Sequence, residues 1–231
     1  MAEQRVYRQV RFAPPAGSTE LLLVRHGESE IVVAGQSFPL VDGQGDPSLA
    51  PEGVDQAVEV CARLEGEDID AIYVSPLRRT AETAEPLARR LGIAPAVERD
   101  LREVHLGEWE GGVYREKVIE GDPLGLRILE EQRWDVIPGA EPAEHFSRRV
   151  RGAVERIADA HPDQRVAVFA HGGTIGEILH QATGSQPFAF MGADNASISH
   201  VVVSGDHWIL RRYNDTSHLS ARLTSRPEPL T

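Results

Sequence analysis

Two histidines in this 231-residue chain stand directly after apolar runs. Leu21-Leu22-Leu23-Val24 leads into Arg25-His26-Gly27, and Val166-Ala167-Val168-Phe169-Ala170 leads into His171-Gly172-Gly173. A neutral imidazole keeps one nitrogen lone pair for attack while the other N–H fixes the tautomer. Beside a guanidinium that grips a phosphoryl group, such an imidazole can attack phosphorus. Phosphoryl transfer also needs further cations on the equatorial oxygens and a proton for the leaving group. Arg78 and Arg79, in Ser75-Pro76-Leu77-Arg78-Arg79-Thr80-Ala81, are candidates for a second guanidinium. Adjacent helical residues point about 100° apart, so only one of them can face a given site. Glu103, Glu108 and Glu110 offer the carboxyl for proton transfer.

Elements must bring these residues together. Apolar runs without polar alternation mark strands covered on both faces, as in parallel sheets, and open α/β sheets bind ligands at the carboxyl ends of such strands. Strands are expected from Leu21 to His26, Ala71 to Val74, around Ala96-Val97, and Arg165 to Ala170. One helix follows Asp46-Pro47-Ser48-Leu49-Ala50-Pro51 with Val54, Ala57, Val58 and Cys61 on one side. A second starts at Ser75-Pro76 with Leu77, Ala81, Ala84, Leu87 and Leu91 inward, and Pro86 should kink it or lie near its end. A third runs from Ala143 to Ala160 on Phe146, Val150, Ala153, Val154 and Ile157; a fourth carries Ile175, Ile178 and Leu179. Ser197 to Val203 and Trp208 to Tyr213 alternate like an edge hairpin. Residues 30–46 read as a loop beside the pocket and 112–138 as a short-helical cap. Arg5 to Phe12 reads as a short strand or a frayed tail, and Arg226-Pro227-Glu228-Pro229 as a Pro-rich end.

The expected fold class is α/β, with a mostly parallel central sheet, helices on both faces, a small helical cap insertion and an edge hairpin. The expected organisation is an extension over 1–18, one α/β domain over 19–216 with the cap at about 112–138, and a tail over 217–231.

In their order, Arg25-His26-Gly27-Glu28-Ser29, Ser75-Pro76-Leu77-Arg78-Arg79-Thr80-Ala81, Leu101-Arg102-Glu103 and Ala170-His171-Gly172-Gly173 resemble the histidine phosphatase superfamily, which includes cofactor-dependent phosphoglycerate mutases and many small-molecule phosphatases. The likeness spans about Glu20 to about Tyr213 and implies a phosphoglycerate mutase-like fold. It implies that His26 is the nucleophile that becomes phosphohistidine, and that Glu103 is the proton donor that later activates water. It further implies that Arg25 and Arg79, rather than Arg78, clamp the phosphoryl group and that His171 completes the pocket. The amides of Gly172 and Gly173 would add a field favouring anions. No cofactor and no metal are expected, and His105 is expected to be peripheral. Two departures stand out. Val32 occupies a position where the superfamily often has a phosphoryl-contacting Asn, so either one donor is missing or the longer loop supplies another, with Gln36 and Gln44 as candidates. A Pro-Gly-Gly-Glu-Ser pattern appears as Pro138-Gly139-Ala140-Glu141-Pro142.

Composition narrows the partners. A net charge of −12 argues against a general nucleic-acid or anionic-membrane binder. Lys117 is the only lysine among the 24 basic residues, so anions must be met by arginine. The single cysteine, Cys61, excludes an intrachain disulfide and reads as a small buried hydrophobe. No apolar stretch suggests a signal peptide or a membrane span, so a cytoplasmic location is expected. The expected partner is a small-molecule phosphate monoester, and self-association as a homodimer would use the edge hairpin.

The reading is a phosphomonoester hydrolase acting through phosphohistidine on a small phosphorylated metabolite. The alternative is phosphoglycerate mutase-type transfer, followed by a non-catalytic phosphate-binding protein. Mutases of the superfamily usually follow the catalytic Glu with an Arg-His-Tyr-Gly type sequence and carry a basic insertion; Val104-His105-Leu106-Gly107 and an acidic cap with only Arg115, Arg127 and Arg133 favour hydrolysis. The same cap argues against highly anionic substrates such as bisphosphates.

Overall fold

The computed structural model describes residues 8–219. In chain order its strands and helices are β1 (Thr19–Arg25), β2 (Leu40–Val41), β3 (Gln44–Gly45), α1 (Pro51–Leu64), β4 (Ala71–Val74), α2 (Arg78–Leu91), β5 (Ala96–Val97), α3 (Val113–Glu120), α4 (Pro123–Glu131), α5 (Ala143–Ala160), β6 (Arg165–Ala170), α6 (Gly172–Thr183), β7 (Ile198–Ser204) and β8 (His207–Asp215).

β1 shows why its residues are apolar without alternation. Leu21 and Leu23 enter one core with Phe146 and Val150 of α5 and Ile175 and Ile178 of α6. Leu22 and Val24 enter a second core with Val60 and Leu64 of α1 and Ala84 and Leu87 of α2. A strand with helices on both faces has no solvent side on which a polar residue would be neutral. Each fully buried Leu or Val contributes roughly 1.5–3 kcal/mol relative to exposure.

The main sheet has the order β5-β4-β6-β1-β7-β8. β1 pairs parallel with β6 and antiparallel with β7, while β4 pairs parallel with both β6 and β5. β7 and β8 form the edge hairpin. The register sets Arg25 against Ala170, and the His26 amide donates to the Ala170 carbonyl at 3.0 Å. The next residue of each strand, His26 and His171, therefore emerges at the same end of the sheet.

Several details differ from expectation. α1 buries Ala57, Val60 and Leu64, leaving Val54 and Val58 more than half exposed and Cys61 half-buried. The helical period was legible, but its phase is set by the tight seat of the first turn: a Cβ on Gly53 would lie 2.0 Å from the Glu28 carbonyl oxygen, and one on Gly27 would lie 2.6 Å from that of Gly53. Gly27 thus admits the backbone of α1. α2 is continuous through Pro86 to Leu91, and Ala81 faces solvent. Residues 30–46 contain the β2–β3 hairpin, too short to show a period. In the cap, α3 and α4 lean on a separate small core of Trp109, Ile128 and Ile137. Leu126 and Leu129 stay exposed, which explains the cap's poor periodicity.

Residues 8–12 form no strand; the Phe12 ring stacks under the Arg211 guanidinium, 3.8 Å from its centre, and the Gly17 amide donates to Asp163. The expected features at Arg5 to Tyr7 and at Arg226-Pro227-Glu228-Pro229 lie outside the described residues. His218 meets the Ala196 carbonyl, and Leu219 packs on the α1/α2 core.

Candidate active site

His26 is buried immediately beyond β1, and its Nδ1–H donates to the Gly27 carbonyl at 2.7 Å. That bond assigns the proton to Nδ1 and leaves the lone pair on Nε2. Burial, then the charges of Arg79 and Arg25, push its pKa well below the ordinary histidine value, so the ring is neutral. His171 has no exposed surface, and its Nε2 meets the Ser75 hydroxyl at 2.8 Å. Ser75 is in turn held by Thr80 at 3.0 Å. The Nδ1 of His171 is buried without a hydrogen-bond partner among the described residues. Burial, followed by Arg79, His26 and Arg25, also lowers its pKa well below the ordinary value.

Arg79, in the first turn of α2, is buried and donates from Nη1 to the Gly45 carbonyl at 3.0 Å. Burial lowers its pKa to about 10, yet it remains charged at neutral pH. Arg78 points away, 57% exposed beside Glu82. The same turn reaches the loop after β1, because the Gly27 amide donates to the Thr83 hydroxyl, which itself donates to the Arg79 carbonyl. Arg25, at the end of β1, donates to the Ala193 carbonyl, and burial lowers its pKa as well.

Glu103 approaches from the segment after β5. Its Oε2 accepts from the Gly173 amide at 2.9 Å and its Oε1 from the Thr174 amide at 3.1 Å. The first turn of α6 thus holds this carboxylate, so Gly173's amide is spent on Glu103 and not on a phosphoryl oxygen. Glycine leaves the carboxylate its place, since a Cβ at 173 would sit 2.6 Å from Oε1 and push it away. The carbonyl of Glu103 accepts from Gln44 Nε2 and from Arg149 Nη2, both at 2.8 Å. Arg149 also donates to the carbonyls of Asp100 and Arg102 and pairs with both oxygens of Glu141. One buried guanidinium therefore fixes the whole Glu103 segment. Gln44 supports this backbone, and Gln36 is exposed. Neither fills the role suggested for Val32, which packs toward Gly112.

Of the rival carboxyls, Glu108 is exposed, and Glu110 accepts from the amides of Gly45 and Leu106. His105 accepts from the Gly107 amide. Sequence reasoning missed Arg149, named Gln44 for a different role, and counted Arg115 only among the cap arginines. Arg149 had a signal, for it lies on the apolar stripe of α5 between Phe146 and Val150, where a charge must be paired. The inward turn of Arg115 had none.

Arg25, His26, Arg79, Glu103 and Arg115 line a cavity of about 150 Å³, walled by Phe38, Trp109, Tyr114 and Trp134. Larger hollows of about 380 and 530 Å³ contain neither His26 nor Arg79, so chemistry rather than size selects the smaller one. Among the described residues, no group of three or more His, Cys, Asp or Glu is placed to hold a metal ion, and no helix is long and apolar enough to cross a membrane.

Residues 21–216 match the family model described as histidine phosphatase superfamily, branch 1. The chain belongs to the histidine phosphatase superfamily. It is similar to phosphoglycerate mutase-like protein 4 of Arabidopsis thaliana, 33% identical over 204 residues that cover 87% of this chain and 86% of that protein. It is also similar to the metal-independent phosphoserine phosphatase of the same plant, 33% identical over 207 residues, 88% of this chain and 84% of that one. Among solved structures, phosphoserine phosphatase of Entamoeba histolytica in complex with 3-phosphoglyceric acid superposes with a TM-score of 0.70 at 26% identity, covering 87% of this chain and 99% of that one. The α/β sheet with helices on both faces is the phosphoglycerate mutase-like fold. This histidine phosphatase is an enzyme of small phosphorylated metabolites.

Proposed function

We propose that the protein is a metal-independent phosphomonoester hydrolase working through a phosphohistidine on His26, with Glu103 as acid and base and with Arg25, Arg79 and His171 holding the phosphoryl group. The carrying observation is the Nδ1–H bond of His26 to Gly27, which leaves Nε2 as the lone-pair nitrogen in a cavity lined by guanidiniums.

In the first step Nε2 attacks phosphorus, the bond from phosphorus to the alcohol oxygen breaks, and protonated Glu103 gives its proton to the departing oxygen. Charge on the equatorial oxygens is met by Arg25 and Arg79, already oriented by their bonds to carbonyls and needing no rearrangement as charge shifts. In the second step the Glu103 carboxylate takes a proton from water while the water oxygen bonds to phosphorus. The P–N bond then breaks, releasing inorganic phosphate and neutral His26.

Hydrolysis is preferred over mutase-type transfer because Val104, directly after Glu103, is buried and brings no cation to the cavity. The test is a chromogenic phosphomonoester assay with and without chelator, followed by 3-phosphoglycerate with a bisphosphoglycerate primer. Release of inorganic phosphate, unaffected by chelator, supports the hydrolase; conversion to the isomer without phosphate release overturns it in favour of the mutase.

A further inference from the structure

The cavity holds a third guanidinium that phosphoryl clamping does not require. Arg115, in the first half of α3, lines it beside Arg25, His26 and Arg79. Its placement is built: Nη2 donates to the Ser29 hydroxyl at 2.6 Å and Nη1 to the Glu30 carbonyl at 2.7 Å, while the guanidinium carbon lies 5.5 Å from the centre of the Phe38 ring. Two of its five N–H groups are used, and both acceptors are uncharged. Among the described residues neither Arg115 nor Arg79 forms an ion pair within 4.0 Å, whereas the other two cap arginines do: Arg127 pairs with Glu131, and Arg133 with Glu131 and Asp135. The cap is acidic by count, yet its one inward arginine has no carboxylate within ion-pair reach, and Glu28 acts on its charge only from farther off. The two carboxylates that line the cavity are hydrogen-bonded to backbone amides, Glu103 to Gly173 and Thr174 and Glu110 to Gly45 and Leu106, and not to Arg115. The charge of Arg115 acts on His26, Arg79 and Arg25, so it shares their cavity electrostatically as well as by position.

We infer that Arg115 binds a second anionic group on the alcohol part of the substrate, so that the site selects a small phosphomonoester bearing a carboxylate. A planar guanidinium with remaining parallel N–H donors matches a carboxylate bidentately. Tyr114 lines the same cavity next to Arg115.

This inference rests on the hydrolase reading, and one matched pair separates the two. 3-Phosphoglycerate and glycerol 3-phosphate share a skeleton and differ in carboxylate against hydroxymethyl. The wild-type protein is expected to prefer 3-phosphoglycerate in kcat/KM. Arg115→Met should lower the ratio of the two kcat/KM values by about 10- to 100-fold, chiefly through KM for 3-phosphoglycerate. Arg115→Lys, which keeps the charge without the fork, should restore part of that ratio. If the wild type hydrolyses an aryl phosphate and both esters equally well, the hydrolase reading stands and this inference falls. The inference also falls if Arg115→Met depresses both esters in step, because Arg115 then only fastens α3 to Ser29 and Glu30. If no ester releases phosphate, the hydrolase reading falls, and this inference with it.

Discussion

The rings of His26 and His171 stand 5.2 Å apart, centroid to centroid, with their planes inclined at 61°. Each follows the last residue of a strand, and the two strands are hydrogen-bonded neighbours, so the spacing is inherited from the parallel ladder β1–β6. His26 lines the cavity, whereas His171 lies behind it with no exposed surface. The Nδ1 of His26 is bound to its own chain, and the Nε2 of His171 is tied to Ser75.

Replacing the nucleophile tests the covalent step. His26→Ala should lower kcat by roughly 10⁴-fold or more while the fold persists. The wild type mixed briefly with labelled substrate should yield an acid-labile, base-stable protein-bound phosphate that the variant lacks. A variant retaining even a tenth of wild-type turnover would exclude the covalent route through residue 26.

The two buried imidazoles should also shape the pH dependence of stability. Their folded pKa values lie below the ordinary value, pushed down by burial first and then by nearby cations. In the unfolded chain both return to about 6.5. Between the folded and unfolded values the unfolded chain binds more protons, so stability rises with pH across that window. The contribution is complete above about pH 6.5 and is lost as pH falls toward the folded values. Urea midpoints measured from pH 8 to pH 5.5 should drop at the acid end; the drop should be smaller in His171→Gln, and an unchanged midpoint would contradict the assignment.

Arg149 and Glu141 form a pair whose side chains are only 4% and 6% exposed. Without Arg149 the buried Glu141 charge keeps only His145, 2.6 Å from its Oε1, as a side-chain partner, and breaking a buried pair costs up to about 3–5 kcal/mol. Arg149→Met should therefore lower the urea midpoint, and the double variant with Glu141→Gln should recover part of the loss. Turnover should not recover with it, because the carbonyls of Asp100, Arg102 and Glu103 still lack their shared donor. Recovery of kcat in the double variant would show that Arg149 matters for stability alone.

Gly173→Ala separates catalysis from folding at one atom. The added methyl would collide with Glu103 Oε1 and lie 3.2 Å from its carboxyl carbon, so the carboxylate must move. A displaced proton donor should cost about 10- to 100-fold in kcat. Helix propensity favours Ala over Gly, so the Tm should not fall. Full activity in this variant would mean that the bonds from Gly173 and Thr174 do not set the working position of Glu103.

The sequence by itself determined the strand exits. Runs such as Leu21 to Val24 and Val166 to Ala170 are buried on both faces, and their shortness and lack of alternation fit a central strand. It also carried the 3.6-residue period of α5, whose ends at Ala143 and Ala160 were read as they stand. Tertiary structure alone decided the phase of α1 and the partners of polar groups. Val54 and Val58 lost their place to Val60 and Leu64 because two glycines admit the first turn of α1 against Gly27 and Glu28, a contact between residues 25 or more positions apart. The fate of the cap arginines followed the same logic: Arg115, Arg127 and Arg133 are one residue type in one acidic segment, and only packing turned one inward and paired the others with acids. Periodicity reports which face of an element avoids water. It holds no record of which distant carbonyl or carboxylate a charged group will meet, since that depends on chain segments brought together only when the core closes.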